Sequence, residues 1–219
     1  WSCWRLNCES PEATTVGTRC TVLARSGGSR GCAIPVAWTV LTATANHAGR
    51  REWWRRRRQV HRALPRSWTV LVLADRGLGA RWLLRRITRL GWHPFVRSNP
   101  GGTLRPTGPG RGGPLKTLGP ALGTTWQGTG IAFTGRHRQR HCPLLACWEA
   151  GEKAPWWLLT DVPPEASTAC WYGVRAWIAP GFTSTQRAGW QWQRPHRPTP
   201  ERAARLWRAV AVATLWLLS

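Results

Sequence analysis

Residues 68–77, WTVLVLADRG, run apolar for seven positions and then deliver an aspartate, an arginine and a glycine. The chain has only two aspartates, Asp75 and Asp161, so the placement of one just past an apolar strand calls for a chemical reason. A carboxylate there is held rigidly by the sheet, at the edge where open α/β sheets bind their ligands. On these residues alone the favoured reading is a strand-to-helix turn in which the carboxylate caps the next helix. Asp161, in LLTDVPPE, also follows an apolar run. With two prolines behind it, a turn is the better account, and it is not taken as a ligand.

The second chemistry is phosphate recognition. Arg50, Arg51, Arg55, Arg56, Arg57 and Arg58 place six guanidinium groups within nine residues. Such a run repels itself unless anions neutralise it, which points to DNA contact. Arg136, Arg138 and Arg140 alternate in GRHRQRHC, the spacing of one face of a strand, and read as a second phosphate contact. His137, His141, Cys142 and Cys147 match no zinc spacing, and their alternation suits a plain strand. Among the 18 tryptophans are candidates for stacking on unpaired bases, while most belong to the core or an interface.

The bulk composition agrees with the arginines. Thirty-two Lys and Arg against nine Asp and Glu give a formal charge of +23, which a polyanion must offset, and nucleic acid is the first partner to consider. An anionic membrane is the rival. The longest apolar run, AVAVATLWLL at 209–218, falls far short of the roughly 20 residues of a spanning helix, so no membrane segment and no signal peptide is expected. Seven scattered cysteines without a CxxC indicate neither a disulfide framework nor a zinc site, and a reducing compartment is the default. The absence of methionine, beside 30 Arg to 2 Lys and 18 Trp, suggests a fragment encoded by GC-rich DNA. A hydrophobic content of 42% is enough to bury a core.

The elements that position these residues follow from periodicity. Residues 1–11 show no usable pattern. CTVLAR at 20–25 and CAIPVAWTVL at 32–41 read as neighbouring antiparallel strands across SGGSRG, with Pro35 favouring an edge or a bulge. RREWWRRRRQVHRAL at 50–64 spaces Trp53, Val60 and Leu64 as a basic helix closed by Pro65. Residues 68–74 form an interior strand, 80–90 a helix with Leu83, Leu84, Ile87 and Leu90 on one face, and 92–98 a strand parallel to the first. From Asn99 to Gly130 the chain is loaded with Gly and Pro, followed by β-like runs near 129–134, 141–148 and 156–160. The end is helical: 167–178, then a helix after Thr199 and Pro200 with Leu206, Val210, Ala213 and Leu217 as its apolar stripe.

In this order, VLADRGLGARWLLRRITRLGWHPFVR, WLLTDVPPE, WYGVRAW, GWQWQR and PERAARLWRAVAVATLWLL resemble the DDE insertion-sequence transposases of the branch with a Y-R-E-K signature. The likeness spans residues 12–219. It implies an α/β fold of ribonuclease H-like type, a mixed sheet flanked by helices with a β-rich insertion. The first part of the core would be 12–98, the insertion 99–165, and the C-terminal helical part 166–219. It also implies the activity of a mobile element: DNA transposition and recombination, by metal-dependent strand cleavage and transfer at transposon ends. In that chemistry two Mg²⁺ or Mn²⁺ ions, held by three carboxylates, activate a water or 3′ hydroxyl and stabilise the leaving oxygen.

The resemblance assigns roles residue by residue. Asp75 matches the second carboxylate and metal ligand. The first falls at Glu12, where the family has aspartate, and the extra methylene displaces the oxygens in a reaction sensitive to such shifts. Tyr172 and Arg175 match the signature at the right separation, while its glutamate position is Ala179 and its lysine position Gln186. Pro180 disfavours helix at Ala179. The expectation is therefore an impaired copy whose two-metal site has lost its third ligand. Its partners would be double-stranded DNA, both transposon ends and target, and a second copy in a homodimer, with no membrane, in the bacterial cytoplasm at the nucleoid. A non-catalytic DNA-binding remnant is the rival reading, and a decayed element without a functional product the third.

Overall fold

A computed structural model of the chain describes residues 3–8, 14–16, 20–29, 32–42, 58–75, 80–99, 101–107, 113–117, 119–133, 139–177 and 199–218. They divide into two compact units, one of Trp1–Thr69 with Val174–Ser219 and one of Val70–Gly173. The fold is mixed α/β.

The first unit holds the strands β1 (Cys3–Cys8), β2 (Thr14–Val16), β3 (Cys20–Ser29) and β4 (Cys32–Thr42). β3 is the centre of an antiparallel set, pairing with β1, β2 and β4. The β3–β4 hairpin is the one expected from the two β-rich runs around SGGSRG. Its register shifts at Arg25/Ser26, where Ala37 and Pro35 are the successive partners, so Val36 is an extra residue beside the proline. Proline cannot donate to the ladder, and the bulge next to it accommodates the missing bond. β1 lies in the segment that showed no usable periodicity.

Among the described residues two helices belong to this unit, α1, whose described residues are 58–63, and α3 (Pro200–Leu218). Thr199 caps α3: its carbonyl accepts from the Ala203 amide at 2.9 Å and its hydroxyl from the Arg202 amide at 3.4 Å. The buried face of α3 is Ala203, Trp207, Val210 and Ala211, whereas Leu206 is 37% exposed. Of the expected stripe, Val210 is buried, Ala213 is half-buried and Leu206 is exposed, so the buried face is centred on Trp207 and not on Leu206. Trp207, fully buried, carries more apolar area than any leucine, and its burial fixes the rotation of α3 along β4. Between β4, α1 and α3 lies a cleft of about 610 Å³ walled by Val36, Trp38, Val40, Val60 and Ala204.

The second unit is built on a seven-stranded mixed sheet in the order β5 (Thr69–Ala74), β6 (His93–Arg97), β11 (Trp156–Leu159), β10 (Arg140–Cys147), β9 (Thr125–Ala132), β7 (Thr103–Pro106), β8 (Gly113–Pro114). β5 and β6 are parallel, joined through α2 (Ala80–Thr88), and every other neighbouring pair that carries a register is antiparallel. Val70–Ala74 are at most 2% exposed, which is why that stretch reads as a continuous apolar run rather than an alternating one. Residues 99–165 supply β7 to β11 to this same sheet.

Two glycines are required by the backbone. Gly91 closes α2 at φ +70°, donating to the Thr88 carbonyl at 3.0 Å, the left-handed exit that L side chains resist. Gly130, on β9, faces β7 so closely that a Cβ would stand 2.6 Å from the Arg105 carbonyl oxygen. Among the described residues, no helix is long and apolar enough to cross a membrane.

Candidate functional site

Asp75 stands directly after the last residue of β5, half-buried, at the C-terminal edge of the parallel pair. The register gives its level in the sheet. Ala74 is opposite Val96, so Asp75 is level with Arg97, and Arg97 is in turn opposite Leu158 of β11. The backbone just before it is held from above. Tyr172, 2% exposed, donates its hydroxyl to the Ala74 carbonyl at 3.4 Å.

Tyr172 belongs to Ala169–Trp177, which is a 3-10 helix and not the α-helix that the signature spacing suggested. At three residues per turn, positions three apart eclipse, so Tyr172 and Arg175 keep a common side of the segment. Aromatic packing pins this segment to the sheet. Trp171 lies against Phe95 of β6 with centroids 5.7 Å apart, and Tyr172 meets the edge of Trp156 of β11 at 5.5 Å. The arrangement anchors Tyr172 across two strands and, through its hydroxyl, the carbonyl preceding Asp75.

Asp161 is at the other end of the sheet. Leu159 is opposite Val96, so the chain beyond β11 descends toward Pro94 and His93, about three residues or roughly 10 Å from the level of Asp75. There the His93 Nδ1 lies 3.1 Å from Asp161 Oδ1. Thr160 is fully buried and its hydroxyl accepts from the Val162 amide at 3.1 Å, the turn expected of TDVPP. Asp161 therefore serves a local ion pair and is not a substitute for a carboxylate beside Asp75.

The hydrogen bond to Asp161 raises the His93 pKa above the ordinary 6.5, with burial opposing and the carboxylate charge adding to the rise. A folded-state value above the unfolded one means that the pair stabilises fully below about 6.5 and that this contribution is lost as pH rises through the folded value. The side chains are 39% and 27% exposed, so screening holds the effect below about 1 kcal/mol. Asp161→Asn is expected to lower stability in urea melts at pH 5.5 and to leave it nearly unchanged at pH 8.5. An equal loss at both pH values would show that the charge plays no part.

The remaining candidates are distributed as follows. Glu12, Ala179 and Gln186 lie outside the described residues, as do Arg50, Arg51, Arg55, Arg56, Arg57, Arg136 and Arg138. Arg58 is exposed at the start of the described part of α1. Arg175 is partly buried. Arg140 opens β10, half-buried, with its Nη2 3.5 Å from the Thr88 hydroxyl at the end of α2. Cys142 is buried and desolvation pushes its thiol up to about 11, which keeps it protonated and a poor ligand. His141 instead bonds the Thr107 hydroxyl through Nε2 at 3.0 Å.

Among the described residues, no three His, Cys, Asp or Glu side chains are grouped closely enough to hold a metal ion. Asp75 alone is not the carboxylate set a two-metal site requires, so no chemical step is assigned to a metal. Sequence reasoning missed the arginines of α2 and of the turn that follows it: Arg85, Arg86 and Arg89 are all exposed. The signal was their spacing, which sets them opposite Leu83, Leu84 and Ile87 on the helix. A comparison with protein-family models found no match, and no curated protein matches the chain.

Proposed function

We propose that the chain is the catalytic-domain part of a DDE-type transposase with a ribonuclease H-like core, in a copy whose chemistry is impaired. One observation carries the reading most: Tyr172 of the W-Y-G-V-R stretch reaches across 98 residues of sequence to the carbonyl beside Asp75. Two separate motifs of the resemblance, the aspartate after β5 and the tyrosine of the signature, therefore meet at one sheet edge. The parallel β5–α2–β6 unit and the mixed sheet are compatible with the same fold.

On this reading the arginines bind the phosphate backbone of duplex DNA, Asp75 supplies one metal-ligating carboxylate for Mg²⁺ or Mn²⁺, and Glu12 is its candidate partner. Tyr172 supports the backbone just before the aspartate, and Arg175 is assigned to the signature by the resemblance alone. Ala179 in place of the signature glutamate is the reason for impairment, since phosphoryl transfer depends on ligand geometry at the ångström scale. The second reading, a DNA-binding remnant without catalysis, is favoured by the same alanine and by the +23 charge.

The test is incubation of the chain with supercoiled duplex DNA and Mn²⁺. Strongly salt-dependent binding with little or no nicking is the expected result, and any residual nicking disappears in Asp75→Ala. Efficient metal-dependent nicking that survives Asp75→Ala overturns the assignment.

A further inference from the structure

We infer that the outward face of α2, extended by Arg140, is a docking surface for the phosphate backbone of duplex nucleic acid. This rests on the reading of the chain as a DNA-binding protein and names the surface of the unit Val70–Gly173 that makes the contact. α2 buries Leu83, Leu84 and Ile87, each 0% exposed, and leaves Arg85 and Arg86 exposed and Arg81 half-exposed; Arg89, exposed just past the helix, continues its last turn with its amide on the Arg85 carbonyl at 3.3 Å. Arg81, Arg85 and Arg89 recur every four residues and form one stripe along the helix.

The dimensions suit a nucleic-acid strand. Eight residues of α-helix rise about 12 Å. A DNA strand carries a phosphate roughly every 3.4 Å of axis, so the stripe spans three to four of them. Arg140 continues it at the C-terminal end of α2, its Nη2 3.5 Å from the Thr88 hydroxyl. That hydroxyl donates to the Leu84 carbonyl at 2.8 Å, which fixes the oxygen against which the guanidinium rests. The scaffold is rigid and the guanidinium fork matches phosphate oxygens in pairs.

A solvated charged face is the ordinary reading of a basic helix, but such faces interleave acids with bases. Here no acidic residue occurs between Asp75 and Glu149, and α2 has none in its first turn. A membrane surface is the poorer fit, because a helix bound at a lipid interface inserts its apolar face, and the apolar face of α2 is already buried in the core.

Fluorescence anisotropy of a labelled duplex, titrated with the chain over a range of salt, tests this. Each phosphate contact contributes about 0.9 to the slope of log affinity against log salt, so R85Q/R89Q is expected to lower the slope by about 1.8, and adding R140Q by about 0.9 more. R202Q/R205Q, an equal charge loss at exposed positions of α3, is expected to leave the slope within a few tenths. Equal slopes for wild type and R85Q/R89Q, or an equal fall in the α3 variant, overturn the inference and leave the transposase reading standing. A wild-type chain that binds no duplex overturns both. Phosphatidylserine vesicles are the parallel arm: binding lost in R85Q/R89Q while the duplex slope is unchanged overturns the inference in favour of a lipid surface.

Discussion

Phe95→Ala is expected to cost about 3–5 kcal/mol of stability, the range for truncating a buried phenylalanine without collapse of the space it leaves. Phe95 is 0% exposed in β6, an interior strand paired on both sides, so neighbouring backbone cannot move in to fill the cavity. The loss has a second component. Phe95 is the ring against which Trp171 packs, and Trp171 is the neighbour of Tyr172 in the same 3-10 segment. Removing the ring therefore loosens the contact that holds the Ala74 carbonyl. Urea melts followed by near-ultraviolet circular dichroism read both effects, as a lower midpoint and a weakened aromatic signal. Phe95→Leu, which keeps most of the volume, is expected to lose under about 1.5 kcal/mol. A cost below about 1 kcal/mol for the alanine variant would show that the aromatic clamp carries little of the packing.

The second large effect concerns Asp75 and metal. In calorimetry with Mn²⁺, a residual enzyme is expected to show a stoichiometric site that vanishes entirely in Asp75→Asn. That substitution keeps the size of the side chain and removes the charge a hard cation needs. Duplex affinity measured in EDTA is expected to be unchanged by the same variant, because the proposed phosphate contacts are arginines and not this carboxylate. A wild-type chain with no saturable Mn²⁺ heat, yet with intact duplex binding, assigns it as a binding module. Adding the Glu12→Ala variant tests the partner directly: loss of the site places a ligand there, and full retention removes Glu12 from the metal set.

How much of this was legible in advance depends on whether local pattern or distant packing decides the element. Strand β5, helix α2 and strand β6 were readable because burial on both faces writes a continuous apolar run, and one-sided burial writes a 3.6-residue period. The β3–β4 hairpin and its irregularity at Pro35 were readable from turn residues and the missing proline donor. β1 was missed although Trp4, Leu6 and Cys8 alternate with Arg5 and Asn7; so short an alternation carries little weight alone, and the strand is defined by its pairing with β3. The 3-10 form of Ala169–Trp177 was also hidden. Its residues suit an α-helix, and what holds it is the anchoring of Trp171 and Tyr172 on Phe95 and Trp156. On α3 the expectation held for Val210 and failed for Leu206, because packing centred the buried face on Trp207.

By itself, then, the sequence determined the charge, the alternation of elements around Asp75, and the position of that aspartate just past a buried strand, all of which depend on residue type and near-neighbour spacing. The tertiary structure alone decided which distant groups meet. It set Tyr172 on the carbonyl beside Asp75, drew Asp161 away to His93 at the opposite end of the sheet, and brought Arg140 to the end of α2. Those pairings follow from strand order and register. A register is the joint outcome of two strands packing against a common core, and neither strand carries it alone.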